Sequence, residues 1–179
     1  IIEQVTTHLD HYRFSEMARQ LYDFAWDEFC SFYLEIVKVR LSNPATRAVA
    51  QRLLAHGLDL LLRLLHPVIP FLTEHVWQLL GKVAPQRGLP SPVEAAKSAI
   101  IAAWPQPVKA HQSAQIEAQF GYFQDVLKAL REYRMRNTLP PAEMMTVEIQ
   151  CNDSFRTLLE PMVPYFKVMA KASVQFVEG

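Results

Sequence analysis

Glycine and cysteine are both scarce in this chain, and their scarcity excludes several kinds of site. There are five glycines in 179 residues, and none lies in a G-x-G-x-x-G or G-x-x-x-x-G-K pattern. The sequence therefore lacks both common loops that bring backbone N–H groups against phosphates. The two cysteines, Cys30 and Cys151, form no C-x-x-C pair. We therefore expect reduced thiols rather than a disulfide framework or a zinc knuckle.

An excess of one charge is also lacking. The chain carries 18 basic and 18 acidic side chains, so no overall field marks it as a nucleic-acid or membrane binder, although a local patch is compatible with this balance. The most apolar run, residues 58–72, is interrupted by Asp59, Arg63 and two prolines and is too short to span a bilayer. The sequence shows no signal peptide, and we expect no membrane partner.

A large apolar fraction is present instead. Hydrophobic residues make up 50% of the chain and aromatic residues 11%, which is typical of a folded protein rather than a disordered one. A chain of 179 residues corresponds to one large domain or two small ones. Because it begins at Ile1 rather than Met, within helical-looking sequence, we expect it to be a piece of a longer protein.

Apolar residues at spacings of three and four predict a mainly α body. Ser15 is a candidate N-cap, Asn43 and Pro44 are an N-cap and a first helical residue, and Gly81 is a candidate helix end. The predicted helices are residues 1–9, 15–40, 44–65, 71–80 and 113–137, with a long surface loop over 82–112.

The character of the sequence changes after Pro140 and Pro141. Residues 146–151 alternate and are β-branched, which predicts a strand, and residues 154–171 look helical before a second candidate strand at 174–177. The tail is therefore predicted to be a β-α-β unit. We place a helical body at residues 1–141 and a small α/β subdomain at 142–179.

The fourth long helix carries the one local charge bias in the chain. Four basic residues, Lys128, Arg131, Arg134 and Arg136, stand against a single acid, Glu132. Arginine's planar fork suits phosphates and base edges, so one interpretation is an RNA contact strip. The other is a solvated face, stabilised by positive charge at a helix C-terminus.

Other candidate chemistry is weaker. The histidines lack acidic or thiol partners at metal-site spacing, and no Ser/His/Asp arrangement can be argued, so we expect neither a metal site nor a catalytic site. Cys30 lies in an aromatic-rich helix and is interpreted as a buried, inert thiol. The row Tyr22, Trp26, Phe29 and Tyr33 is interpreted as core, with a groove edge as the alternative.

Four blocks of sequence resemble the helical anticodon-binding domain of class I aminoacyl-tRNA synthetases, most closely that of the valyl-tRNA synthetase family. The Phe29-Cys30 pair followed by Trp104-Pro105 favours this family over its isoleucine and leucine relatives. The blocks are FSEMARQLYDFAWDEFCSFYLEIVK at 14–38, LLHPVIPFLTEHVWQLL at 64–80, AWP at 103–105 and LREYRMRNTLPP at 130–141.

The resemblance implies an antiparallel helical bundle whose partners are tRNA and the remaining synthetase domains of the same polypeptide. Arg131 and Arg134 match the two arginine positions of the family and are the predicted RNA contacts. Lys128 and Arg136 are further predicted RNA contacts because of their charge. Arg13 is predicted as an RNA contact because it lies near the start of helix 15–40. The mechanism implied is recognition of unstacked anticodon bases, with Lys and Arg neutralising phosphates.

The resemblance also implies properties of a parent enzyme that extends beyond this chain. The resemblance implies a monomeric, cytoplasmic parent, a ligase of protein biosynthesis that attaches valine to its tRNA using ATP with Mg. The present chain shows none of the catalytic motifs, so we expect it to be inactive alone and to need no cofactor. A coiled coil is expected beyond residue 179.

Two departures from the family pattern leave alternatives open. Ser31 stands where the family usually has Asp, and Arg136 occupies a position that is often acidic. One alternative is a diverged helical module that binds proteins rather than RNA. The other is the corresponding domain of an isoleucyl- or leucyl-tRNA synthetase.

Overall fold

The computed structural model describes all of residues 1–179, which fold into helices and two small sheets. The helices are α1 (Ile2–Asp10), α2 (Phe14–Asp23), a π-helical segment (Phe24–Tyr33), α3 (Leu34–Ser42), α4 (Pro44–Leu65), α5 (Pro70–Val83), α6 (Ala114–Arg136), α7 (Asp153–Leu159) and α8 (Val163–Ala170). The strands are β1 (Gln86–Arg87), β2 (Val93–Glu94), β3 (Met145–Cys151) and β4 (Ala172–Glu178), and 3-10 turns lie at Ala99–Ile101, Lys109–His111 and Glu160–Met162. The predicted mainly α fold with a small α/β tail is confirmed.

The chain divides into two compact units, Ile1–Pro107 and Val108–Gly179. The first unit contains α1 to α5 and the β1–β2 hairpin. One of its core clusters is formed by Val5, Met17, Leu21 and Leu64, with Trp104 packed against it. The Trp104 indole N–H donates a hydrogen bond to Thr6 Oγ1 at 2.9 Å, which anchors the predicted Trp-Pro segment to α1.

The predicted helix over 15–40 is present, but its middle third is a π-helix. The i→i+5 hydrogen bonds of a π-helix put more residues in each turn than an α-helix has, so side chains rotate away from the positions that α spacing predicts. Cys30 is exposed, and its prediction as a buried thiol is wrong. Tyr22 and Trp26 are also exposed and stack on each other, whereas Phe29 is buried as predicted.

Helix ends were predicted with mixed success. Asn43 Oδ1 accepts a hydrogen bond from Ala45 N at 3.0 Å, which confirms Asn43 as the cap of α4 and Pro44 as its first residue. Ser15 is not a cap, because α2 begins one residue earlier and Arg13 occupies the N-cap without a side-chain hydrogen bond. Gly81 is not a helix end either, since α5 continues to Val83.

A buried ion cluster ties the loop after α5 to α4. Asp59 on α4 is 6% exposed and Arg87 on β1 is 4% exposed. Arg63 Nη2 lies 2.6 Å from Asp59 Oδ2, and Arg87 Nη1 lies 3.2 Å from Asp59 Oδ1. The Arg87 guanidinium also stands 4.2 Å from the centroid of the Trp77 ring. This part of the predicted surface loop is therefore held by buried charges.

The second unit is built on α6 and the β-α-β tail. Strands β3 and β4 pair in parallel from Met145 opposite Ala172 to Cys151 opposite Glu178, as a β-α-β connection requires. Phe123 on α6 and Phe166 on α8 are fully buried, and their ring centroids lie 4.9 Å apart. The predicted tail is confirmed.

The division between the two units does not coincide with the predicted boundary at 141/142. It falls at 107/108, because α6 packs on the helices of the tail. Gln119 Nε2 on α6 donates to the Leu158 carbonyl at 2.5 Å, and Tyr122 contacts Phe155 at 5.2 Å between ring centroids.

Candidate nucleic-acid interface

A groove of about 550 Å³ lies in the second unit, where α6 and α8 end. It is lined by Arg131, Arg134, Met135, Thr138, Leu139, Pro140, Pro141, Val168, Met169, Ala170 and Lys171. Three of these residues are basic and none is acidic. The remainder are mostly apolar, so the groove combines positive charge with a surface on which a planar base can stack.

The end of α6 gives the groove one of its walls. The Thr138 N–H donates to the Met135 carbonyl at 3.2 Å, and the Leu139 N–H donates to the Arg134 carbonyl at 3.0 Å. These paired bonds form a Schellman motif, which normally places glycine at the left-handed position. Thr138 occupies that position with φ of 50°. A β-branched residue in this conformation is strained, and such strain clusters at functional sites.

The end of α8 gives the opposite wall. Lys171 caps this helix in the left-handed conformation, with φ of 51° and ψ of 44°. Its backbone carbonyl accepts a hydrogen bond from Met145 N at 2.9 Å, which connects the cap to the start of β3. Lys171 is exposed and lines the groove. Sequence reasoning missed Lys171, since it lies 35 positions beyond Arg136 and only the β-α-β crossover returns it to α6.

Arg134 supports the groove as well as lining it. Its Nη1 donates to the Glu143 carbonyl at 2.7 Å, and its Nη2 donates to the Pro140 carbonyl. The guanidinium thus holds both sides of the Pro140-Pro141 turn. A guanidinium has five N–H donors, so those not used by the two carbonyls remain for a ligand.

The five predicted RNA contacts are not brought together as one set. Arg131 is exposed and lines the groove beside Arg134. Lys128 and Arg136 are exposed on α6 outside the groove lining, and Arg136 Nη2 lies 3.6 Å from Glu132 Oε2. Arg13 belongs to the other compact unit, where it is exposed at the start of α2.

Two further properties of the structure bear on the predicted chemistry. No three or more His, Cys, Asp or Glu side chains come together in a way that could hold a metal ion. No helix combines the length and the apolar character needed to cross a membrane.

Comparison with protein families decides what kind of domain carries this groove. Residues 1–151 match the family described as the anticodon-binding domain of tRNA ligase. The chain belongs to this family. The match covers all of α1 to α6 and β3, so it includes Arg131 and Arg134 but ends before Lys171.

Relatives of this anticodon-binding domain are found in several bacteria. The chain is 47% identical over 175 residues to the valine–tRNA ligase of Rhodopirellula baltica, covering 98% of this chain and 17% of that protein. It is 42% identical over 135 residues to the Symbiobacterium thermophilum valine–tRNA ligase, covering 70% of this chain and 15% of that protein. With the Bacillus subtilis valine–tRNA ligase it shares 32% identity over 176 residues, covering 97% of this chain and 19% of that protein.

The anticodon-binding domain is thus similar to a part of much longer proteins. The three relatives carry the valine name, as the Phe29-Cys30 and Trp104-Pro105 pairs predict. Neither of the alternatives, a module without RNA binding or the domain of an isoleucine or leucine enzyme, is favoured by these matches.

Proposed function

We propose that this domain binds the anticodon region of a tRNA in the groove between the ends of α6 and α8. The observation that carries the proposal is the lining of this groove, with three basic residues, no acidic residue and an apolar surface of Met, Leu, Pro and Val side chains. Membership of an anticodon-binding family supports the same ligand.

The proposed mechanism divides the groove by chemistry. Bases of a single-stranded loop can leave their stack and lie on the apolar surface of Met135 and Leu139, while their edges accept or donate hydrogen bonds. Arg131 and Lys171 contact phosphates and so set the register of the loop. Arg134 keeps the Pro140-Pro141 turn in place and offers its remaining N–H groups to the ligand.

The parent protein is proposed to be a valine–tRNA ligase, which joins valine to its tRNA using ATP. The names of the three relatives support this assignment. We assign ATP and Mg to the rest of the parent, since this chain has neither a glycine-rich phosphate loop nor a group of three metal ligands. A monomeric, cytoplasmic parent remains part of the proposal.

Two substitutions test the groove by removing exposed charges from its lining. Arg131→Ala removes an exposed charge, and Lys171→Gly removes a charge while placing glycine where φ is already positive. Each should weaken binding of valine tRNA, and the slope of log affinity against log salt should become shallower by about one per lost phosphate contact. Fluorescence anisotropy on the full-length parent and on this chain measures both quantities.

Arg156→Ala is the matched control. Arg156 is exposed on α7 in the same unit, outside the groove, and lies 3.8 Å from Glu160. Its removal changes the net charge equally and should leave affinity and salt slope unchanged. If Arg131→Ala and Lys171→Gly behave like this control, the groove is not the RNA site.

The identity of the RNA is tested separately by competition. Valine tRNA should compete for the groove better than the same tRNA with a mutated anticodon, and better than isoleucine tRNA. Equal competition by all three would leave only non-specific binding and would favour the alternative of a protein-interaction module.

A further inference from the structure

The buried ion cluster of the first unit holds two cations against one carboxylate. Asp59 is paired with both Arg63 and Arg87, at 2.6 Å and 3.2 Å. A buried charge requires a partner, because the low dielectric of the interior makes an uncompensated ion costly. With one carboxylate shared by two guanidinium groups, the cluster retains one positive charge.

Arg87 uses only part of its hydrogen-bonding capacity. Its Nε donates to the Ala84 carbonyl at 2.9 Å and its Nη1 donates to Asp59, while Nη2 makes no hydrogen bond. Burial lowers the pKa of the Arg87 guanidinium, and the charge of Asp59 opposes this shift. Arg87 is 4% exposed, so it is a buried cation, and its Nη2 is available to donate a hydrogen bond to a ligand.

The unused nitrogen borders a cleft of about 420 Å³ in the first unit. Gly81 of α5 lies beside this nitrogen, because a Cβ at this position would stand 3.7 Å from Arg87 Nη2, at ordinary contact distance. The cleft is lined by Trp77, Gln78, Gly81, Lys82, Pro85, Arg87, Glu94, Ala95, Ala96 and Lys97.

The charges around the cleft favour an anion. Lys82 and Lys97 are exposed at its rim and join Arg87, while Glu94 is the one acidic side chain among the lining residues. Arginine's planar N–H groups match the oxygens of a tetrahedral phosphate, and lysine contributes a mobile point charge. The indole face of Trp77 keeps the guanidinium fixed, so a ligand would meet a preorganised donor.

We propose that this cleft is a phosphate-binding site, with Arg87 at its base and Lys82 and Lys97 at its rim. The phosphate can be a phosphodiester of a bound RNA or the phosphate of a small compound, and the chemistry of recognition is the same. The RNA source rests on the proposed function, whereas phosphate binding does not. The site lies in a different compact unit from the groove of Arg131.

The first experiment uses inorganic phosphate and the 179-residue chain. In ¹H–¹⁵N spectra, phosphate should produce saturable shifts of the Trp77 indole and Arg87 Nε signals. Gly81→Ala places a methyl group beside Nη2 at ordinary contact distance and suits a helix interior better than glycine. This variant should show a raised Tm together with about tenfold weaker phosphate binding, a loss of the size expected for one charge-assisted hydrogen bond.

Exposed basic residues provide two further variants and the control. Lys82→Ala and Lys97→Ala should each weaken phosphate binding, whereas Arg19→Ala should not. Arg19 is an exposed cation on α2 in the same unit and is absent from the lining of the cleft. The proposal is overturned if wild-type signals show no saturable shift, or if Gly81→Ala binds phosphate as the wild type does.

The source of the phosphate is distinguished by valine tRNA. If RNA supplies it, Gly81→Ala should make the salt slope of tRNA binding shallower by about one. If a small compound supplies it, Gly81→Ala should leave the tRNA slope unchanged while phosphate binding is weakened. The effect of Arg131→Ala on tRNA binding does not depend on phosphate binding in the cleft. The groove proposal and the cleft proposal can therefore be contradicted separately.

Discussion

At the scale of single residues, Asp59 holds two arginines in place, although it lies in an apolar run of the sequence. It sits between two arginines from different segments and is 6% exposed. The sequence predicted α4 to its last residue but gave no sign of this pairing, because Arg87 lies 28 positions away in the predicted loop. Sequence periodicity describes the face of a helix and carries no information about a distant partner.

Removing Asp59 is predicted to be severely destabilising. Asp59→Ala would leave Arg63 and Arg87 without their carboxylate, and breaking a buried pair in this way typically costs about 3–5 kcal/mol of the free energy of unfolding. Urea denaturation followed by Trp fluorescence measures the change. Glu3→Ala, on the exposed face of α1, is the comparison and should change stability by less than about 0.5 kcal/mol. A loss below about 1 kcal/mol for Asp59→Ala would show that the cluster tolerates an unpaired cation.

Arg134 combines a predicted RNA contact with an observed structural role. The sequence predicted an RNA contact, and the structure places Arg134 in the groove, yet two backbone carbonyls accept hydrogen bonds from it. Its substitution by Ala would disturb the Pro140-Pro141 turn as well as any RNA contact. Loss of tRNA binding in that variant would therefore not separate support from recognition, whereas Lys171→Gly removes a charge from the groove and suits the left-handed backbone at that position.

At the scale of elements, the helix C-terminus at Thr138 offers a test of the groove wall. Thr138→Gly is predicted to raise the free energy of unfolding by about 1 kcal/mol, because an L-residue in the left-handed conformation costs about 1–2 kcal/mol and glycine avoids this cost. Chemical denaturation measures the effect. Thr157→Gly within α7 serves as the control and should lower stability by about 0.5–1 kcal/mol, since glycine there adds freedom to the unfolded chain and also removes the hydrogen bond that Thr157 Oγ1 donates to the Asp153 carbonyl at 2.8 Å. Destabilisation by Thr138→Gly would mean that the threonine side chain stabilises the wall through contacts that outweigh the strain.

The helix over 14–42 shows which features of an element follow from sequence. Its extent could be predicted, since apolar residues recur at three and four positions throughout. Its π-helical middle could not, because insertion of wider turns depends on tertiary contacts and leaves the local pattern helical. Ser31 Oγ donates to the Trp26 carbonyl five residues earlier, at 2.8 Å. Ser31 thus contacts the backbone of the π-helical segment, where Cys30 is exposed although it was predicted to be buried.

At the scale of the whole molecule, the family could be predicted and the site only in part. Blocks in the first 141 residues identify the anticodon-binding family, and the groove uses two arginines from the last block. Its other wall comes from residues 168–171, whose position depends on the parallel pairing of β3 with β4. The sequence indicated a β-α-β unit but not which surface of α6 it would meet.

The balance of charge over the whole molecule makes a final prediction about tRNA binding. Because basic and acidic side chains are equal in number, at 18 each, long-range attraction should contribute little and local contacts should set the salt dependence. Three basic residues in the groove, with one more phosphate contact if RNA also occupies the cleft, correspond to a slope of log affinity against log salt of about −2 to −4, at about 0.7–0.9 per neutralised phosphate. Anisotropy titrations of this chain from about 50 to 200 mM salt determine that slope. A slope of about −6 or steeper would require phosphate contacts well beyond these two sites and would contradict the assignment of RNA binding to them.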